Sequence, residues 1–213
     1  AIEIAIEIQN AYICLSLKHA MEIYKSNSKH YSEELKAINT KYNTISFIRL
    51  VSILLFLVSL FYYIKTSESV FVMLAIVLFA GFLFLMRIHT KLSFKKKIKT
   101  ALVKINENEI TYLERKSIPF DNGLEFNDFH HPYAYDLDIF GEHSVFQNLN
   151  RTATFIGKKT LSKSLLTLLP NEEILRNHQA VQELNEKLNW RQEFLAFAKV
   201  GQDSEIFYRT LLK

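Results

Sequence analysis

The sequence predicts an all-α protein built on a transmembrane helical hairpin, whose two helices extend beyond the membrane as a coiled-coil-like stalk. Three observations predict this class: two long apolar runs, apolar residues at helical spacing on either side of them, and only 5 Gly and 3 Pro in 213 residues. The 49% hydrophobic content excludes a disordered chain, and a single Cys excludes a disulfide framework.

The two apolar runs are long enough to form membrane spans. Residues 50–64 read LVSILLFLVSLFYYI, and residues 70–86 contain no polar side chain. Because a helix needs about 20 residues to cross the hydrocarbon core of a bilayer, flanking residues complete the predicted spans at 46–64 and 70–88. A buried hairpin in a soluble protein is the weaker alternative, since a soluble helix keeps a polar stripe.

The charges beside the second span predict the orientation. Residues 87–104 contain seven Lys or Arg and no acid, so subtracting +7 from the net charge of +4 leaves −3 for the remainder. The positive-inside rule then predicts a multi-pass protein of the inner (cytoplasmic) membrane, with both termini in the cytoplasm. Lys95, Lys96 and Lys97 are candidates for contact with anionic lipid headgroups, and DNA is the alternative partner of these lysines.

The chain before the hairpin has two parts. Residues 1–20 begin AIEIAIEIQ, a strand-like alternation, and precede a segment beginning at Met21 that resembles a natural start. We therefore expect 1–20 to be an upstream or non-native extension, and 21–115 to form the hairpin with its stalk. Two independent surface helices are the alternative to the stalk. The apolar residues of the predicted stalk fall at positions 24, 31, 35, 38, 42 and 45, and at positions 88, 92, 98, 102, 105 and 113.

After the stalk, residues 116–142 are predicted to be an irregular linker, because Pro119, Pro132 and the Asp121-Asn122-Gly123 turn interrupt the helical pattern. Residues 143–213 are predicted to be helical again. Apolar residues recur from Leu149 to Leu169, Pro170 ends that helix, and Asn171 caps the next. We expect the helix after Asn171 to bury Ile174, Leu175, Val181, Leu184 and Leu188, and a last helix to begin near Ser204.

Two clusters resemble functional motifs but lack the required spacing. Asp128, His130 and His131, with Asp136, Asp138, Glu142 and His143 nearby, contain metal-ligand types, but adjacent loop histidines point in different directions. The segment Gly157-Lys158-Lys159-Thr160 resembles the end of a phosphate-binding loop, but Thr152 stands where that motif needs glycine. The sequence therefore predicts no catalytic, cofactor-binding or metal-binding residue in this chain.

A longer stretch resembles the MutS family. It comprises HPYAYDLDIFG at 131–141, SVFQNLNRTATFIG at 144–157, and the following KKTL, and it is similar to the start of the helical core (lever) domain of that family. The signature is carried by Leu149, Asn150, Arg151, Thr152 and Gly157. The segments 174–176 and 179–184 look like the next helix of that domain, and residues 190–192 are similar to the membrane-anchored members of the family. Ser164 stands where relatives often have Trp.

The resemblance implies that the chain is the N-terminal part of a DNA mismatch repair ATPase with two membrane spans. It implies a full-length homodimer that binds DNA, with ATP and Mg bound by a domain further along. The signature residues are expected to be structural, Arg151 as a helix-start contact and Gly157 as a close helix approach. Arg151, Lys158 and Lys159 are also candidates for DNA or lipid contact. The alternative is a two-helix membrane adaptor whose helical tail binds a protein partner.

Overall fold

The structure is a computed structural model that describes residues 2–201, with side chains from residue 15 onward. Over that range it is helical and contains no strand, which confirms the all-α class. The helices are α1 Ile2–Thr66, α2 Ser69–Leu113, α3 Val145–Leu149, α4 Phe155–Leu166, α5 Asn171–Asn185 and α6 Leu188–Val200, with a 3-10 helix at Leu124–Phe126. The helix predicted near Ser204 lies outside the described residues.

The chain divides into two compact units. The hairpin unit is His30–Thr100, and the helical unit combines residues 1–29 with residues 101–213. Helix α1 already begins at Ile2, so the strand-like alternation of the first residues lies in a helix. A strand needs a neighbouring strand for its backbone hydrogen bonds, and no strand lies within residues 2–201 to supply them.

A two-residue turn joins the helices of the hairpin unit. Only Ser67 and Glu68 are non-helical between α1 and α2. Ser67 has φ 53°, the left-handed conformation that often ends a helix, and its amide donates to the Tyr63 carbonyl at 2.8 Å. The connection between the spans predicted at 46–64 and 70–88 is therefore a tight turn with two non-helical residues.

Small residues and aromatic rings hold the two membrane-length helices together. The Ser59 hydroxyl donates to the Phe71 carbonyl of the facing helix at 2.8 Å, and Ser59 and Ala75 are both buried. Phe56 also contacts Phe79, with ring centroids 5.5 Å apart. In an apolar environment such helices gain no hydrophobic free energy from contact, so close packing and hydrogen bonds must supply it.

The outward faces of the same helices are apolar and uncovered. Both helices are long and apolar enough to cross a membrane, and the most apolar 18-residue window of each is only 6% buried. Phe61, Met73, Ile76 and Phe84 are among the side chains that are at least half exposed. This surface differs from that of a core helix in a soluble protein, which buries most of its apolar side chains.

The predicted stalk stripe faces inward. All twelve apolar positions predicted from 24 to 45 and from 88 to 113 are buried or half-buried. Within the hairpin unit, the Tyr42 ring packs on the His89 ring at 4.3 Å and beneath the Lys96 ammonium at 5.0 Å. An ion pair joins Lys99 to Glu34 at 2.5 Å across the same helices.

The helical unit has a small aromatic core built largely by the segment 116–142. This segment is irregular, as predicted, but it is packed rather than extended. Its Ile139 and Phe140 are buried against Phe146 of α3. Gly123 has φ 66°, and a Cβ there would lie 2.6 Å from the Phe146 ring, so this turn requires glycine. Leu161 and Leu165 of α4 cover the other side of the core.

Three expectations about the later helices are wrong. The helix predicted from Leu149 begins only at Phe155, because residues 150–154 are bound to the preceding turn and to one another. Pro170, not Asn171, occupies the N-cap position of α5. Helix α5 buries none of its residues: Leu175 is 62% exposed and Val181 66% exposed, while Ile174 and Leu184 are just exposed. Leu188 is half-buried and belongs to α6.

The hydrogen bond inside the hairpin gives a first prediction. Ser59→Ala removes the only hydrogen bond that the structure gives the Ser59 side chain, and we expect the hairpin to lose about 0.6 kcal/mol, the average for such bonds in membrane proteins. Ser52→Ala is the matched control, because the Ser52 hydroxyl donates to Arg49 within its own helix. Thermal unfolding in detergent micelles, followed by circular dichroism, measures the difference. Equal losses from both variants would contradict the assigned role.

Candidate functional site

One face of α2 carries three polar side chains, spaced three residues apart, that bind three different segments of the helical unit. Asn106 and Gln192 of α6 are buried and exchange two hydrogen bonds, of 3.1 and 2.8 Å. The Tyr112 hydroxyl donates to Asn148 of α3 at 2.9 Å. Glu109, between them, binds Arg151. Spacings of three place these residues on one side of a helix, so α2 acts as the common support.

Arg151 is held by a bidentate ion pair. Its Nε donates to Glu109 Oε1 at 2.5 Å and its Nη2 to Glu109 Oε2 at 3.1 Å, while Nη1 donates to the Asn148 carbonyl at 2.9 Å. The guanidinium carbon lies 3.5 Å from the Phe120 ring centroid. Both side chains of the ion pair are largely buried, and two-point geometry of this kind is what lysine cannot reproduce.

The neighbouring signature residues bind one another. Asn150 is buried, its Nδ2 donates to the Asp121 carbonyl at 3.1 Å, and its Oδ1 accepts from the amide and the hydroxyl of Thr152. Each polar group of the Asn150 side chain therefore has a partner, as a buried amide requires. Asn150, Arg151 and Thr152 form what we call the latch, which ties the start of α4 to α2 and to the turn at Asp121.

Gly157 is close to its own N-cap rather than to another helix. Its amide donates to Thr154 Oγ1 at 3.0 Å, and a Cβ at this position would lie 2.9 Å from that oxygen. The close approach expected at Gly157 therefore exists, but the neighbouring atom belongs to Thr154. The glycine leaves room for the threonine side chain that caps α4.

The candidate basic residues differ in how they are engaged. Lys158 forms ion pairs with Asp121 at 3.1 Å and Glu125 at 2.9 Å. Burial alone would lower its pKa, but these two carboxylates raise the pKa of Lys158 above its ordinary value. Lys159, Lys95 and Lys97 have exposed side chains, and Lys96 covers the Tyr42 ring. The charges of Arg151 and Lys158 are thus matched within the chain.

The histidine-containing loop makes hydrogen bonds that fix its backbone. The Asp128 carboxylate accepts from the His130 amide at 2.9 Å, and this bond lowers the pKa of Asp128. The His131 ring binds the Leu166 carbonyl at 3.1 Å through Nε2, so this residue contacts the end of α4. Among the described residues, no three His, Cys, Asp or Glu side chains converge on a point where a metal ion would bind.

A cavity of about 510 Å³ lies beside the latch within the helical unit. Its wall includes Arg151, Glu109 and Tyr24, and α6 contributes Trp190, Arg191, Phe194 and Lys199. Burial and then Glu109 raise the pKa of the Tyr24 phenol, so that side chain stays neutral at physiological pH. Neither this cavity nor the buried Asn106–Gln192 pair was predicted from the sequence. Their signal was weak: polar residues interrupting the apolar series after position 105.

Comparisons with models of protein families, with curated proteins and with solved structures found no match to the chain. The resemblance to the MutS family therefore rests on the sequence segments between residues 131 and 192.

The latch gives a second prediction. Arg151→Lys keeps the positive charge but loses the two-point contact with Glu109, so the free energy of unfolding should fall by about 1.5–3 kcal/mol, the usual value of hydrogen bonds to charged groups. Lys187→Gln is the matched control, because it breaks an exposed ion pair with Glu183, and it should have little effect. Urea unfolding of the full chain in detergent, followed by Trp190 fluorescence, reports both. A stable Arg151→Lys variant would contradict a structural latch.

Proposed function

We propose that this chain anchors a helical domain to a membrane through the hairpin unit. The observation that carries the proposal is the apolar surface of the two long helices, which is almost entirely uncovered. Exposed apolar surface of this extent is unfavourable in water and favourable in lipid. Helices also satisfy all their backbone hydrogen bonds internally, as a membrane-spanning segment must.

In this proposal the hairpin inserts from the inside of the cell. Residues 87–104, with seven basic residues, stay in the cytoplasm together with both termini, and the turn at Ser67 and Glu68 crosses to the other side. Lys95 and Lys97, which have exposed side chains, then contact anionic lipid headgroups of the inner membrane. Lipid is favoured over DNA as their partner because they follow the second span directly.

We further propose that the helical unit is the beginning of a MutS-type core domain. The support is the sequence resemblance, together with the finding that its signature residues form a mutually bound latch. Under this proposal the full-length protein is a dimeric ATPase that binds DNA, with ATP and Mg held by a domain outside this chain. Under the same proposal the residues of this chain anchor the protein to the membrane and transmit its conformational changes, and they do not catalyse.

The runner-up proposal is a membrane adaptor whose helical unit binds a protein partner. It is favoured by the exposed apolar side chains of α5 and by the cavity beside α6, which together offer a surface for another helix. The two proposals share the membrane anchor and differ in what the helical unit contacts.

Cysteine accessibility tests the anchor and its orientation. In a Cys14→Ser background, which removes the only native Cys, Ser67→Cys and Ser117→Cys form a matched pair of exposed positions. We expect a membrane-impermeant maleimide to label position 67 in intact spheroplasts and position 117 only after permeabilisation. The reverse pattern would overturn the orientation, and release of the protein by alkaline carbonate would overturn the anchor.

DNA binding tests the MutS proposal against the adaptor. Titrating labelled duplex DNA into the full chain at 50 mM and 200 mM salt should show weak binding that falls steeply with salt, because any phosphate contacts release counterions. Lys159→Gln should reduce this binding more than Lys158→Gln, since Lys158 is already paired with two carboxylates. Absence of binding at 50 mM salt would remove a DNA contact from this part of the protein. A coding sequence with GxxxxGK[ST] further along would support the ATPase.

A further inference from the structure

The strongest unassigned surface is a groove between α5 and α6, here called the α5–α6 groove. Its apolar wall consists of Leu184, Leu188, Trp190, Phe194 and Leu195, and it is part of the 510 Å³ cavity. The Trp190 and Phe194 rings stack on each other, with centroids 5.4 Å apart, yet they are 54% and 61% exposed. Large aromatic side chains exposed at the edge of a cavity are typical of a binding surface.

Helix α5 extends this apolar surface. Ile174, Val181 and Leu184 lie on one side of α5, at spacings of seven and three residues. Ile174, Val181 and Leu184 are exposed, and no residue of α5 is buried. A helix that keeps an apolar stripe but buries nothing has a face suited to another helix.

Two cations of the groove lack carboxylate partners. Arg191 and Lys199 line the cavity from α6. Its two acids form ion pairs with other residues, Glu109 with Arg151 and Asp121 with Lys158, although burial lowers the pKa of Lys199 and the charge of Glu109 opposes that shift. Among the described residues, neither Arg191 nor Lys199 forms an ion pair, and the Arg191 Nε is buried without a hydrogen-bond acceptor. The groove is therefore apolar with an excess of positive charge.

The spacing of the two cations favours an elongated ligand. They are eight residues apart on one helix, which separates their Cα atoms by about 12 Å at 1.5 Å per residue. That distance matches two turns of a second helix. We propose that the α5–α6 groove binds an amphipathic helix of a protein partner, with apolar side chains against Trp190 and Phe194 and carboxylates, two turns apart, against Arg191 and Lys199.

The inference deepens the adaptor form of the proposed function and rests on it, but it is independent of how the hairpin is oriented. An acidic helix fits because it supplies an acceptor to the buried Nε of Arg191 and matches both charges. A basic helix would place like charges together at two points. Self-association of the chain through this groove would contradict the proposal.

The sole tryptophan provides the measurement, because Trp190 lies in the groove. The probes are two tryptophan-free 21-residue peptides with Leu at heptad positions a and d, one with Glu and the other with Lys at e and g. They are titrated into the full chain in zwitterionic bicelles, which contain no tryptophan. We expect the Glu peptide to shift Trp190 emission to shorter wavelength and to saturate, with the Lys peptide at least about tenfold weaker, the effect of losing one charged contact.

Charge reversal is the decisive comparison. Arg191→Glu with Lys199→Glu should reverse the preference so that the Lys peptide binds more tightly. Arg176→Glu with Lys163→Glu changes the net charge equally at exposed positions outside the cavity, and it should keep the original preference. Unchanged circular dichroism verifies folding. If the reversed variant does not fold, the neutral pair Arg191→Gln with Lys199→Gln should equalise the two peptides.

Several outcomes would overturn the proposal. They are the absence of a saturable shift with the Glu peptide, equal affinities for both peptides, and failure of the charge reversal to exchange them. A shift of Trp190 emission that depends on protein concentration in the absence of peptide would indicate that a second copy of the chain occupies the groove instead. Failure of cysteine labelling to show the expected orientation would refute the anchor while leaving these titrations valid.

Discussion

The bidentate ion pair between Arg151 and Glu109 is the interaction around which the described part of the helical unit is arranged. It fixes the residues before α4 to the last turns of α2, and the buried Asn106–Gln192 pair fixes α6 to the same helix three residues earlier. Each of these polar groups is largely buried, so loss of one partner leaves the other without a hydrogen bond. That free-energy penalty disfavours other arrangements of the helices. The apolar core around Phe146 is too small to determine these positions alone.

The side chains that α1 and α2 bury differ between the hairpin unit and the helical unit. In the hairpin unit the helices contact each other through small residues, such as Ser59 and Ala75, and present apolar side chains outward. Between residues 101 and 113, α2 instead turns Leu102, Ile105 and Asn106 inward. The first arrangement suits a solvent without hydrogen-bonding groups, and the second suits water. The change follows the position of the basic residues 87–104, which is why the membrane boundary is proposed there.

Much of the fold could be predicted from the sequence because the spacing of apolar residues indicates which side of a helix is buried. The stalk stripe faces inward at every predicted position, because residues three and four apart lie on the same side of a helix. The same reasoning failed for α5, whose apolar stripe is exposed: periodicity indicates a face that a partner can cover but does not show that the partner is present. The latch could not be predicted in this way, because the hydrogen bonds from Asn150 to Asp121 and from Arg151 to Glu109 depend on tertiary contacts with no periodic signal.

The latch also changes what the MutS-like signature implies. A motif with asparagine, arginine and threonine beside two lysines suggests contact with phosphates, and Arg151 and Lys158 were candidates for it. Within the described chain both charges are matched by carboxylates, Arg151 by Glu109 and Lys158 by Asp121 and Glu125. A phosphate would have to displace these carboxylates, which costs the ion pairs and, at Arg151, leaves the largely buried Glu109 without its partner. In the described structure Arg151 and Lys158 are therefore bound within the fold, whereas Lys159 of the same segment is exposed and forms no ion pair with a described residue.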